Sequence, residues 1–174
     1  DADVWLYDVA SGVAVIGDLV TLPAPFFETA CPTEWRAALD DVWAVPFQTA
    51  IPGHGGPMDR AAFDTYRRAF NGFMDCVEGE SGAAQCAAGW GEGIAPLIGS
   101  DDRMRRMALE YAEYYVGMLR ENGGKSAECL AAPPQYWTYG AGLPAGRDPP
   151  PAGIPRWLPG SRPRRRRSSV HRSR

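Results

Sequence analysis

Val13-Ala14-Val15-Ile16-Gly17-Asp18 and Phe47-Gln48-Thr49-Ala50-Ile51, the latter running on into Pro52-Gly53-His54-Gly55-Gly56-Pro57, set the fold of this chain. Each is a short strand-like run that stops at a Gly-rich turn, and each stop delivers a polar side chain to a strand end. The first is nearly continuous in apolar residues, as a strand buried on both faces is. Glycine on both sides of His54 opens backbone conformations closed to other residues, so the imidazole can be aimed, and Pro52 fixes the entry to the turn. An Asp and a His at the ends of two strands of one sheet can converge on a metal, because carboxylate oxygen and imidazole nitrogen both suit Zn²⁺ at about 2.0–2.2 Å. Asp18 and His54 are therefore the candidate metal ligands. The competing reading of Asp18 is a turn cap.

Working outward, Val4–Val9 reads as the partner of the first run in a β-hairpin, with Ala10-Ser11-Gly12 as the turn. Pro32 at a first helical position, with Trp35, Ala38, Leu39 and Val42 at helical spacing, predicts a helix before Phe47. Asp59 caps a second helix with the stripe Phe63, Tyr66, Phe70, Phe73 and Met74. A third starts at Asp101 or Asp102, presents Met104, Met107, Tyr111, Tyr114 and Met118 on one face, and ends at Asn122-Gly123-Gly124. These stripes read as core. The order β-β-α-β-α-α gives an α/β or α+β class with helices packed on a sheet.

With 174 residues, 45% hydrophobic and 11% aromatic, the chain can bury a core, and wholesale disorder is excluded. No stretch approaches the roughly 20 apolar residues of a membrane span, so no membrane partner is expected. Residues 1–146 carry 20 acids against nine bases, and residues 147–174 carry nine arginines against Asp148 alone. Pro and Gly become dense from Pro133, which divides the chain into a folded part, 1–132, and a Pro/Gly/Arg-rich tail, 133–174, expected to be disordered. Cys31, Cys76, Cys86 and Cys129 contain no C-x-x-C pair. Cys76 and Cys86 flank the soft segment Glu78–Gly82 and suit a small disulfide-closed loop, which favours a periplasmic or secreted home. Four buried thiols in a cytoplasmic protein are the alternative, and the full pairing stays open.

Taken together, Trp5-Leu6-Tyr7, Val15-Ile16-Gly17-Asp18 and Ile51-Pro52-Gly53-His54-Gly55, with 36 residues from Asp18 to His54, resemble the C-terminal half of a metallo-β-lactamase-fold hydrolase over about residues 3–130. The segment Leu22–Pro32, with Trp35, is similar to a subgroup of exported bacterial members. The resemblance implies half of an αβ/βα sandwich with added C-terminal helices. It places Asp18 at the position that commonly bridges two metals and His54 at the last ligand position. It also implies a zinc cofactor, one ion or two, with metal-bound hydroxide attacking an ester, lactone, β-lactam or thioester bond of a small-molecule substrate, and no further catalytic side chain. Phe26, Phe27 and Trp35 become candidate pocket walls, with core packing as the plainer role.

The chain departs from that family in one respect. The H-x-H-x-D-H motif is absent, and the histidines are His54 and His171 alone. Two ligands fall short of the three or four a zinc site needs, so the 174 residues are expected to be an inactive piece of a longer product, with one sheet face left bare. A catalytically dead remnant is the alternative. A third reading gives the Arg-rich tail a nucleic-acid or acidic-surface partner; the absence of interleaved aromatics and the acidic body argue against nucleic acid.

Overall fold

A computed structural model describes residues 4–126 and residue 129. Strands β1 (Leu6–Asp8) and β2 (Val13–Gly17) form the expected hairpin, antiparallel with Leu6 opposite Val15. Its turn is built by Asp8, whose carboxylate accepts the Ala10 and Ser11 N–H groups and the Ser11 hydroxyl, and these bonds hold the carboxyl below its usual range. Gly12 completes the turn at φ +67°, donating to the Asp8 carbonyl. Helix α1 (Pro32–Ala44) then crosses back to β3 (Thr49–Pro52), which pairs parallel with β2, and β4 (Met58–Asp59) adds an antiparallel edge. The sheet order is β1-β2-β3-β4. Helices α2 (Arg60–Glu78), α3 (Ala83–Ile98) and α4 (Asp102–Glu121) follow. Among the described residues, four helices and a four-stranded mixed sheet make the class α+β.

The core is one aromatic cluster. Helix α2 presents Phe63, Tyr66, Phe70, Phe73 and Met74 inward, all buried, as its spacing predicts. Phe27 lies at the centre, with ring centroids 5.5 Å from Trp35, 5.8 Å from Phe70 and 5.3 Å from Tyr115. Arg60 ties α2 to the end of α1: it donates to the Trp43 and Val45 carbonyls at 3.0 and 2.7 Å and lies over the Trp43 ring. Arg67 pairs with Asp40 of α1 at 2.7 Å and Asp64 at 2.9 Å; burial works against its charge, but those carboxylates outweigh it and raise its pKa. Arg120 of α4 donates to the Cys76, Val77 and Gly79 carbonyls and closes the C-terminal end of α2.

Three expectations need correction. Strand β2 is not buried on both faces: Ala14 and Ile16 are buried, whereas Val15 is 46% exposed, because the described helices cover one side of the sheet. Helix α3 went unread, since Gly89, Gly91, Gly93 and Pro96 are breakers in its interior. Burial of Cys86, Ala87, Trp90 and Ile94 overrides that propensity. On α4 the inward face is Ala108, Ala112, Tyr115 and Leu119, one residue on from Met107, Tyr111, Tyr114 and Met118. At 3.6 residues per turn that is a rotation of about 100°. Helices α3 and α4 come close at Gly91, where a Cβ would stand 3.0 Å from Leu109, and Tyr111 and Tyr114 face out at 41% and 56% exposure.

Two disulfides close the fold. Cys76–Cys86 is the expected short loop between α2 and α3, and Cys31–Cys129 joins the start of α1 to the residues after α4. Two disulfides fit an extracellular or periplasmic location. Among the described residues no helix is long and apolar enough to cross a membrane. The tail from residue 133, with His171 and its arginines, lies outside the described residues.

Candidate metal centre

Parallel pairing of β2 and β3 makes both strands run toward the same rim of the sheet, and Asp18 and His54 sit just beyond those two C-terminal ends. The backbones are pinned together there, with the Gly53 N–H donating to the Gly17 carbonyl at 2.7 Å. Gly17 turns the chain out of β2 at φ +50°. The result is convergence: His54 Nε2 lies 3.6 Å from Asp18 Oδ1, with the side chains 59% and 61% exposed. Gly53 is the residue that makes room. A Cβ placed on it would stand 2.1 Å from Asp18 Oδ1, so the carboxylate occupies the space a side chain would take.

The loop that follows Asp18 is anchored from the core side. Leu19 and Val20 are buried, and the Trp35 indole donates to the Leu19 carbonyl at 2.9 Å. The Thr21 N–H donates to the Tyr66 hydroxyl at 3.4 Å, and the Trp90 indole donates to the Pro23 carbonyl at 2.9 Å. Each ring buries its apolar body and spends its polar tip on a loop backbone group that would otherwise go unpaired. The sequence assigned Trp35 to core or pocket wall; it serves the core and holds the loop. Phe27 is core as well. Phe26 is 49% exposed, with its ring 6.4 Å from Tyr111. Next to it, Glu28 accepts the Tyr115 hydroxyl at 2.5 Å; burial first, and then that carboxylate, push the Tyr115 phenol well above its usual range.

Both candidate ligands present an atom type zinc accepts, and the two atoms already lie close enough to share one ion. The donor set therefore fits a metal in kind and falls short in number. Among the described residues, the group that brings three metal-capable side chains together is Cys31, Glu34 and Cys129, with ligand atoms within 4.8 Å of one another. Its two sulfurs are joined in a disulfide, which leaves Glu34 as its one free donor. The sequence carried no signal for that grouping, because 98 residues separate the two cysteines. A groove of about 630 Å³ between α2 and α3, lined by Arg68, Phe73, Trp90 and Glu92, contains neither Asp18 nor His54. No family model, no curated protein and no solved structure matches the chain.

Proposed function

We propose that this chain supplies the C-terminal-half metal ligands of a metallo-β-lactamase-fold zinc hydrolase acting on an ester, lactone, β-lactam or thioester bond. The observation that carries the reading is the meeting of Asp18 Oδ1 and His54 Nε2 at 3.6 Å beyond two adjacent parallel strands, with Gly53 clearing the space for the carboxylate. Zinc in such a site lowers the pKa of bound water and polarises the bond under attack. This chain's part is to hold two ligands at one rim: Gly17 and Gly53 fix the turns, while Trp35, Tyr66 and Trp90 fix the loop behind Asp18. The bare sheet face supports the half-sandwich part of the reading, as a layer awaiting its counterpart. The ligand shortfall favours a second reading, a non-enzymatic remnant.

Metal binding tests the site. Zinc or cobalt titration of the purified chain should show binding that Asp18→Asn and His54→Ala each weaken. Gly53→Ala, which displaces the carboxylate without removing a ligand, should weaken it by about 10–100-fold. Equal affinity in all four proteins would remove Asp18 and His54 from any metal site. Genomic DNA separates hydrolase from remnant: an in-phase segment ahead of the Asp1 codon encoding H-x-H-x-D-H supports the first, and stop codons in every frame support the second.

A further inference from the structure

Cys31, Glu34 and Cys129 hold their ligand atoms within 4.8 Å of one another, and in the oxidised chain the two sulfurs are bound to each other. Three features set this bond apart from Cys76–Cys86. It is open to small reagents: Cys31 and Cys129 are half-buried and Glu34 is exposed, whereas Cys86 lies in the core. Cys31 is the N-cap of α1, its side chain makes no capping hydrogen bond, and Glu34 follows in the first turn. The positive end of the helix stabilises negative charge at both positions. Ser126, fully buried, holds its hydroxyl 3.3 Å from Cys129 Sγ, its one side-chain hydrogen bond among the described residues. A disulfide sulfur is a weak acceptor, and an ionised acceptor forms a bond about twice as strong as a neutral one. That buried hydroxyl is therefore well paired only when the disulfide is open.

We propose that reduction of Cys31–Cys129 opens a zinc site made by the two thiolates and the Glu34 carboxylate. The tether between α1 and the residues after α4 then has two forms, one covalent and one bridged by metal. Asp18 and His54 take no part in it. The reductant is a dithiol: one of its thiolates attacks a sulfur of the Cys31–Cys129 bond, and its second thiol closes the reagent's own disulfide. Two electrons and two protons pass to the protein, leaving Cys31 and Cys129 as thiols. Zinc binding then releases both protons. Tetrahedral zinc with sulfurs at about 2.3 Å holds them about 3.8 Å apart. Cysteines whose Cα atoms lie 5.3 Å apart reach that spacing by side-chain rotation. Glu34 supplies the third ligand and water the fourth. Two thiolates and a carboxylate leave the zinc complex with one net negative charge, which suits the start of α1. The pair of sulfur donors selects zinc over calcium or magnesium.

The test uses the full 174-residue chain, reduced with a dithiol that is then removed without air, and cobalt as a spectroscopic stand-in for zinc. Thiolate-to-cobalt charge-transfer absorption is read beside far-UV circular dichroism. The reduced chain should take up one cobalt ion with that absorption and yield it to zinc, and the oxidised chain should show none. Glu34→Gln should keep the absorption and weaken binding by at least about 10-fold. Alkylation of the reduced parent, followed by peptide mass mapping, should find Cys31 and Cys129 shielded by zinc. Absence of the absorption in a reduced chain of unchanged circular dichroism would overturn the site, and so would parent affinity in Glu34→Gln. Shielding of Cys76 and Cys86 in place of Cys31 and Cys129 would move the metal elsewhere. A reduced chain that loses its circular dichroism and does not regain it in zinc would also sink the proposal, because the three ligands would then meet only through the disulfide.

Discussion

Tyr66 lies fully buried on α2, behind the loop that carries Asp18, with its hydroxyl accepting the Thr21 N–H. Burial disfavours the phenolate, and the pKa is pushed up to about 12; the Thr21 contact opposes this only in part. In the unfolded chain the phenol titrates near 10. The folded pKa is the higher, so the stability it contributes is complete below pH 10 and is lost as the pH rises from 10 through 12, at about 1.4 kcal/mol per unit. Urea unfolding at steps between pH 9 and 12 should show that fall on top of the one Tyr115 contributes, and Tyr66→Phe should reduce the slope by about 1.4 kcal/mol per unit while costing about 1 kcal/mol at neutral pH for the orphaned Thr21 N–H. An unchanged slope in the variant would place the alkaline sensitivity elsewhere. At this scale the candidate site was legible, because glycine and proline around Asp18 and His54 restrict the backbone in ways a sequence displays. The room Gly53 makes for Asp18 was not, since it depends on where the neighbouring strand lies. Cys31–Cys129 was illegible for the same reason, whereas Cys76–Cys86 is close enough in sequence to be read.

Helix α3 runs through three glycines and a proline, and its fit against the neighbouring helices explains two of the glycines. A Cβ on Gly93 would come within 2.8 Å of the Ala69 Cβ on α2, and one on Gly91 within 3.0 Å of Leu109 on α4. Nothing lies within 4 Å of a Cβ on Gly89. Alanine is worth about 1 kcal/mol over glycine inside a helix, whereas overpacking a close contact costs about 1–3 kcal/mol. Gly89→Ala should therefore stabilise the chain by up to about 1 kcal/mol and Gly93→Ala should destabilise it by a similar amount, both read from urea midpoints. The same sign in both variants would mean that α3 does not pack on α2 through Gly93. This contact is also why α3 escaped the sequence: propensity reads glycine as a breaker, and close helix packing reads it as a fit. The inward face of α4 was missed by one residue on similar grounds. Methionine and tyrosine outrank alanine as core formers, yet the buried face carries Ala108 and Ala112 beside Tyr115, Val116 and Leu119. Strands β2 and β3, helix α1 and the α2 stripe were legible because their burial follows from large residues at regular spacing.

Among the described residues the helices pack on one face of the sheet, so the two disulfides carry more of the burden of holding the chain than they would in a two-sided sandwich. They differ in what they constrain. Cys31–Cys129 spans 98 residues and encloses α1 through α4, whereas Cys76–Cys86 spans 10 residues at a single helix junction. A cross-link restricts the unfolded chain in proportion to the logarithm of the loop it closes, giving about 4.7 kcal/mol for the long loop and about 2.7 kcal/mol for the short one at 25 °C. Burial partly offsets this ordering, because Cys86 sits in the core against Arg120 and its loss leaves a small void. Cys31→Ser with Cys129→Ser should therefore lower the unfolding free energy by about 1 kcal/mol, and at most about 2 kcal/mol, more than Cys76→Ala with Cys86→Ala, the alanines being chosen to avoid burying a hydroxyl at position 86. Equilibrium urea unfolding of both double variants beside the parent, at one pH and in the absence of thiols, measures the difference. A larger loss from the Cys76–Cys86 pair would show that local packing at the α2–α3 junction, rather than restriction of the unfolded chain, sets the stability of the fold.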